Sequence, residues 1–452
     1  MEITKENVDE LNAILKVRIE QEDYTEQVEN TLKDYRKNLR MPGFRPGKVP
    51  AGIVKKLYGK SVLIEEIHKI ISESVSKYLD EEKINTLGDP LPSENNSKEI
   101  DWDHQKTFEF EFDIGLAPNI EVNITNKDKI PVYEIQIDNQ MIEETKENYA
   151  RRFGTMNKLD EITGNEILKG DFRQVDKEGE MIEGGIAAES SSFSLEAIKD
   201  KNLVDSFIGK RADETVIFDV RKAFPNNNEL ASLLHIEKDH TATIAPNFCF
   251  TIKEISRFQK AELNKELYDK IYGKDVVQNE KEFTEKVTGE LSYRLGEHSE
   301  YRFKIDAKDG LMRKVNVNLP EEFLKKWLTT INKEKVTEEQ IEREYPTFGN
   351  DLKWQLIQNK IIKDNGINVN EDEVKEFARS YALIQFSQYG LTNVPDEQLN
   401  QYANDLLKND EEKKKIYEKL YEEKVFDHIR ENVKTDKKKI TMDKFNKLFD
   451  SH

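Results

Sequence analysis

The sequence predicts a multidomain, elongated α+β protein, and three observations lead there. At 452 residues, a prior of about 150 residues per domain leaves room for about three cores. The hydrophobic fraction is 36% and the charged fraction 35%. Ordinary values are about 45–50% and about 25%, so the balance favours extended shape and wet surface. The apolar pattern also changes character along the chain, from mixed helix and strand, to short strands, to almost pure helix. Disorder is the competing reading, but the 22 Phe and 16 Tyr recur at helical and strand spacing rather than being depleted.

Residues 1–116 read as α+β. "LNAILKVRIE" places Leu11, Ala13, Leu15, Val17 and Ile19 on one strand face. In the helix that follows, Tyr24, Val28, Leu32, Tyr35 and Leu39 recur at spacings of three and four. "RMPGFRPGKVP", residues 40–50, suits neither helix nor regular strand. Pro42, Pro46 and Pro50 fix φ and remove donors, while Gly43 and Gly47 permit positive φ. Pro50 then suits the first turn of a second helix, which continues through "VLIEEIHKIISESVSKYLDEEKI". "GDPLPSENNSKEIDWDH" reads as loop, and "TFEFEFDIG" as a strand with Phe108, Phe110, Phe112 and Ile114 on one face.

Residues 117–150 form a connector, extended to about Asp138 and then helical. Residues 151–258 read as a small β-rich domain from "GDFRQVD", "ETVIFDV" and "NFCFTIKEI". From "AELNKELYDKIYG" onward, residues 259–452 are almost all helix pattern. One helix start is signalled by Asn370 as cap with Glu373 at N3. No fixed-period repeat is present.

A net charge of −19 argues against generalised nucleic-acid binding. The single cysteine, Cys249, excludes an intrachain disulfide and, in an alternating apolar run, reads as a buried structural thiol. "MEITKENVDE" has neither a basic leader nor an apolar h-region, and no run of about 18 apolar residues occurs. The expectation is a soluble, cytosolic chain without a membrane partner.

Against that acidic background, residues 33–60 carry Lys33, Arg36, Lys37, Arg40, Arg45, Lys48, Lys55, Lys56 and Lys60 with a single anion, Asp34. Lys33, Arg36, Lys37 and Arg40 share one helix face leading to the loop. A solvated face is the ordinary reading of a charge run, but such faces mix signs. A docking surface for an anionic partner is the favoured reading. By spacing alone, Phe44 either tucks under its own loop or stacks on a partner as an interface anchor.

"GFRPGKVP" resembles the ribosome-docking signature of the trigger factor family of bacterial ribosome-associated chaperones, G-F-R-x-G-x-x-P. Gly43, Phe44, Arg45, Gly47 and Pro50 fill its fixed positions. "LYGKSVLIEEIHKIISESVSKYLDEEKI" and "GDPLP" resemble the rest of the family's ribosome-binding domain, and "VNLPEEFLKKWL" the first long helix of its chaperone arms. The resemblance implies that residues 1–116 dock beside the nascent-chain exit tunnel, on a large-subunit protein and adjacent rRNA. Gly43, Phe44, Arg45, Gly47, Lys48 and Pro50 would do so with Arg36, Lys37 and Arg40. It implies that residues 117–150 pack with the helical domain of residues 259–452, which would shield nascent or unfolded chains without ATP. Whether the free protein forms a homodimer stays open.

The resemblance also implies that residues 151–258 are similar to FKBP-type prolyl isomerases, which distort the X–Pro bond in an aromatic-lined pocket. Gly170–Asp171, Met181–Gly185, Ile217–Val220 and Phe224–Pro225 retain traces of that pattern. The pocket itself departs from it. Ile182 stands where the family has Phe, "DKNL" at Asp200–Leu203 replaces an apolar segment, and the Tyr expected after Phe-Pro is missing. Ile182, Leu203, Phe207 and Phe224 are the pocket candidates. The expected role is structural, with an active isomerase whose arms recruit substrate as the alternative. A cytosolic assembly factor without a ribosome link is a third reading.

The helical part offers Phe323, Trp327, Phe377, Tyr381 and Ile384 as client-binding candidates. Such stripes are core more often than binding surface. Long charged helices with thin stripes nonetheless cannot hide all of them. No cofactor or metal is expected. "GKS" at Gly59–Ser61 lacks the phosphate-loop glycine, since Val54 stands in its place. The seven His lack metal-ligand spacing.

Overall fold

The computed structural model describes residues 1–42, 44, 45, 48–93, 100–332, 336–389, 391 and 394–450. Its first elements are β1 (Glu2–Asn7), β2 (Asn12–Ile19), α1 (Gln21–Asn38), α2 (Ala51–Glu81), β3 (Leu91–Pro92) and β4 (Phe108–Gly115). Then come β5 (Lys129–Ile135), α3 (Asn139–Arg152), β6 (Thr155–Leu159), β7 (Ile167–Gln174) and β8 (Ala187–Ser194). They are followed by α4 (Lys201–Phe207), β9 (Thr215–Asp219), α5 (Val220–Ala223), α6 (Asn227–Leu234) and β10 (Asn247–Gln259). Helices α7 (Lys265–Tyr272), α8 (Glu280–Lys314), α9 (Glu321–Ile331), α10 (Glu338–Asn365), α11 (Glu371–Gln388), α12 (Asp396–Lys408) and α13 (Asp410–Asn432) follow. β11 (Lys434–Ile440) and α14 (Met442–Asn446) end the series. The chain forms two compact units, Met1–Val132 with Glu300–Lys438, and Tyr133–Ser299 with Lys439–His452.

In the first unit, β1-β2-β4-β3 form an antiparallel sheet. Its alternation buries Ala13, Leu15, Val17 and Ile19 against Ile67, Ile71 and Val75 of α2, together with Tyr24 of α1. Each large apolar side chain so buried contributes about 1.5–3 kcal/mol before chain entropy is charged. Trp102, in the segment read as loop, stacks on Phe108 at 4.9 Å. Helices α1 and α2 form a hairpin: Thr31 Oγ1 donates to Glu66 Oε1 at 2.6 Å, and the Tyr35 and Tyr58 rings lie 5.8 Å apart. That falling register makes the pair antiparallel and brings the 39–50 segment to its tip.

The helices of the same unit build three further cores. Leu87, Leu91, Phe323, Leu324 and Tyr345 form one. Phe303, Ala307 and Leu311, four apart on α8, join Trp354, Ile357 and Ile361 of α10 and Val425, Phe426 and Ile429 of α13 in the second. Val374, Ala378, Ala403, Ile416 and Leu420 hold α11, α12 and α13 together in the third. Asn370 Oδ1 accepts from the Asp372 and Glu373 amides at 3.0 Å each, and Glu373 Oε2 accepts from the Asn370 amide at 2.9 Å. The reciprocal cap expected at α11 is therefore present.

In the second unit, β6-β10-β7-β8 form a sheet with β9 added against β10. Its core is aromatic, including Phe172, Phe193, Phe207, Phe218, Phe224, Phe248 and Phe250. Cys249, on β10, is buried as expected. A second cluster joins α7 and α8 through Tyr268, Phe283, Val287 and Leu291, with Tyr268 and Phe283 stacked at 4.5 Å.

Five strands were not expected, among them the short β3 and β6, which reads "TMNKL". β1 reads "EITKEN", β8 "AAESSSFS" and β11 "KTDKKKI". β11 corrects the reading of residues 259–452 as almost pure helix, and the two-residue β3 corrects the reading of 88–104 as loop throughout.

Candidate functional site

The 39–50 segment follows the last turn of α1 and ends on Pro50, the N-cap of α2. The Phe44 amide donates to Met41 O at 3.1 Å, and the Lys48 amide to Arg45 O at 2.9 Å. Phe44 is 39% exposed, and Arg40, Arg45, Lys48 and Pro50 are exposed. Of the two arrangements open to Phe44, the structure thus leaves its ring accessible rather than tucked away. Gly43 and Gly47 lie outside the described residues.

The cationic helix face divides. Lys33 and Lys37 are exposed, and Lys37 Nζ pairs with Asp34 at 2.7 Å. Arg36 is half-buried and donates through Nε to the Val49 carbonyl at 2.8 Å. An open cleft of about 450 Å³ lies beside them, lined by Thr31, Asp34, Tyr35, Asn38, Leu39 and Tyr58. Tyr35 at 41% and Leu57 at 54% exposure add apolar surface near the tip. Both sit at helical spacing within apolar stripes, so nothing in the sequence separates them from core residues.

The client-binding candidates fall in different places. Phe323 is buried, and a Cβ added at Gly115 would sit 2.5 Å from its ring. Trp327 packs against the same core. These two were expected to face clients, but they serve as packing residues because the β4 end and the 87–91 segment cover them. Phe377 packs against the α11–α13 core. Tyr381 and Ile384 are exposed, with Leu383, Tyr389 and Leu391 near them in sequence. Leu383 and Tyr389 were missed, although both follow Tyr381 at the end of an apolar run.

The four pocket candidates of the β-rich domain do not form one lining. Ile182 is exposed and Leu203 half-buried at the edge of the core. Phe207 and Phe224 have at most 1% of their surface exposed. Phe193 meets Phe224 edge-on at 5.2 Å and Phe207 at 6.0 Å. Buried and packed edge-to-face, Phe207 and Phe224 offer no accessible wall and are corrected from pocket to core.

Nearby, Glu166 is fully buried and accepts from the Thr163 amide at 3.1 Å, Thr163 Oγ1 at 2.9 Å and the Gly164 amide at 2.7 Å. Arg257 also donates to it. Burial alone would raise its carboxyl, but the bonds from Arg257, Gly164 and Thr163 outweigh that and lower it. Among the described residues, no group of three or more His, Cys, Asp or Glu could hold a metal, and no helix is long and apolar enough to cross a membrane.

Three family models match successive parts of the chain. "Bacterial trigger factor protein (TF)" matches residues 1–149, "Probable trigger factor, FKBP-like domain" residues 156–260, and "Probable trigger factor, C-terminal domain" residues 299–449. The trigger factor of Bartonella henselae is 25% identical over 100% of this chain and 94% of its own length. That of Chlorobaculum parvum is 23% identical over 94% and 95%. A solved structure from work on the trigger factor chaperone superposes with a TM-score of 0.53 at 14% identity, covering 95% of this chain and 99% of that one, a likeness of fold. With all three models in order along its length, the chain belongs to the trigger factor family.

Proposed function

We propose that this chain is a ribosome-associated, ATP-independent chaperone that docks through the tip of the α1–α2 hairpin and shields nascent chains. The observation that carries the reading is the exposed Phe44 beside the exposed Arg45 and Lys48, in a segment where the only anion is Asp34. An accessible ring next to a guanidinium suits a protein anchor. The surrounding Lys33, Lys37, Arg40 and Lys48 suit phosphates, and the resemblance to the trigger factor family points to a large-subunit protein beside the tunnel exit with adjacent rRNA as the partner. Such a partner places the chain in the cytoplasm.

On this reading residues 1–116 carry docking. Residues 259–452, with 117–150, hold clients through Tyr381, Ile384 and their exposed neighbours, and residues 151–258 extend the surface. The buried Phe207 and Phe224 favour a structural β domain over an isomerase. A tetrapeptide isomerisation assay with turnover typical of a competent FKBP-type enzyme overturns that part. The docking claim is tested by co-sedimentation with ribosomes. Phe44→Ala/Arg45→Ala is expected to pellet at least about tenfold less than the unaltered chain, and equal pelleting sinks the claim.

A further inference from the structure

Arg36 stands apart from the cations around it. Lys33, Lys37, Arg40, Arg45 and Lys48 are exposed, whereas Arg36, in the last turn of α1, is half-buried. Its Nε–H donates to the carbonyl oxygen of Val49 at 2.8 Å, thirteen residues further on. Val49 has no exposed surface at all, although Lys48 and Pro50 on either side are exposed.

Seating one buried side chain at the end of an exposed loop costs backbone and rotamer freedom. A charge-assisted bond to its carbonyl offsets that cost. The bond ties the last turn of α1 to the residue ahead of Pro50, the N-cap of α2. It thereby closes the base of the loop. Between its two ends, the Phe44 amide donates to Met41 O and the Lys48 amide to Arg45 O. Phe44 and Arg45 are thus presented from a segment pinned where it rejoins the helix.

We propose that Arg36 is a positioning residue of the docking tip: it latches Val49, fixes the loop that presents Phe44 and Arg45, and makes no phosphate contact of its own. The proposal rests on the docking reading above, and its test separates the two.

Trypsin supplies the first measurement. The Arg45–Pro46 bond resists it because proline follows, but the Lys48–Val49 bond is cut once Val49 leaves its site. In the free full-length protein, Arg36→Met removes the donor and keeps the apolar stem. It is expected to speed cleavage at Lys48–Val49 about tenfold, as local opening is favoured by the loss of a charged hydrogen bond. Ribosome affinity at fixed salt is expected to fall about tenfold for the same reason. The slope of log affinity against log salt stays that of the unaltered chain, whereas losing a phosphate contact lowers it by about one. An unchanged cleavage rate overturns the latch. Faster cleavage with unchanged affinity, or a slope lowered by about one, overturns the positioning role. An unaltered chain that fails to pellet with ribosomes overturns the docking reading instead, and cleavage still decides the latch.

Discussion

The indole of Trp327 lies directly over Gly88: a Cβ added at that glycine would sit 2.8 Å from the ring. Gly88 also has φ +83°, a left-handed conformation that side chains disfavour. Gly88→Ala is therefore expected to destabilise the first unit by about 2 kcal/mol, from overpacking and strain together. Trp327→Ala removes the clash but not the φ, so a double-mutant cycle by denaturant unfolding should show the Gly88→Ala cost partly relieved. Strict additivity would mean that the two residues do not share a contact.

The carboxyl of Glu166 is held below the ordinary glutamate range, so it contributes stability above its unfolded value of about 4.5. That contribution disappears as pH falls through the lower folded value. Glu166→Gln is expected to flatten this acid limb and to cost about 2 kcal/mol at neutral pH, with Arg257 left facing a neutral amide. Cys249, buried on β10 of the same sheet and the chain's single thiol, reports opening by its reaction with a dipyridyl disulfide, which proceeds in acid. A glutamine variant with the same acid limb as the unaltered chain contradicts the assignment.

Phe224 separates core from pocket. As a core ring beside Phe193, its truncation to alanine is expected to cost about 3–5 kcal/mol and to expose Cys249 to the same reagent. A merely pocket-lining ring would tolerate the change, and stability within about 0.5 kcal/mol of the unaltered chain would contradict the packing.

Client holding is expected to depend on Ile384 and Tyr389, which are 56% and 82% exposed. Ile384→Ser/Tyr389→Ser should weaken suppression of aggregation of an unfolded client severalfold at an unchanged unfolding midpoint, because removing exposed apolar area costs the fold little. Undiminished suppression would move the binding surface elsewhere.

Ribosome association should weaken steeply between low and moderate salt, since cations that neutralise phosphates release counterions. Salt-independent pelleting would mean that Lys33, Lys37, Arg40 and Lys48 have no phosphate partner.

Strands and helices with an apolar period were legible from the residues, as β2, α1, β10 and the Asn370 cap illustrate. Three of the missed strands share a cause. β1 and β11 carry charge on both faces and bury almost nothing, so no alternation marks them. Such charge also discourages further pairing at a sheet edge. In β8, serines stand where a buried strand would show aliphatic side chains, and only Ala188, Ser191 and Phe193 turn inward. The break between α1 and α2 was legible because proline and glycine in the 40–50 stretch suit neither helix nor regular strand. Phe323 and Trp327 were misplaced for the opposite reason. Helical spacing tells which face a residue occupies, but the partners that cover these faces, Gly115 and Gly88, are remote in sequence.

The first unit is discontinuous, made of Met1–Val132 and Glu300–Lys438, and this bears on the order of its synthesis. Leu87 and Leu91 are translated long before Phe323, Leu324 and Tyr345, with which they share a core. While residues 133–299 emerge, domains completed earlier can already fold. Through that interval Leu87 and Leu91 lack Phe323, Leu324 and Tyr345 as packing partners. A chaperone for nascent chains therefore passes through a stage, on its own ribosome, in which it has the sticky surface of a client.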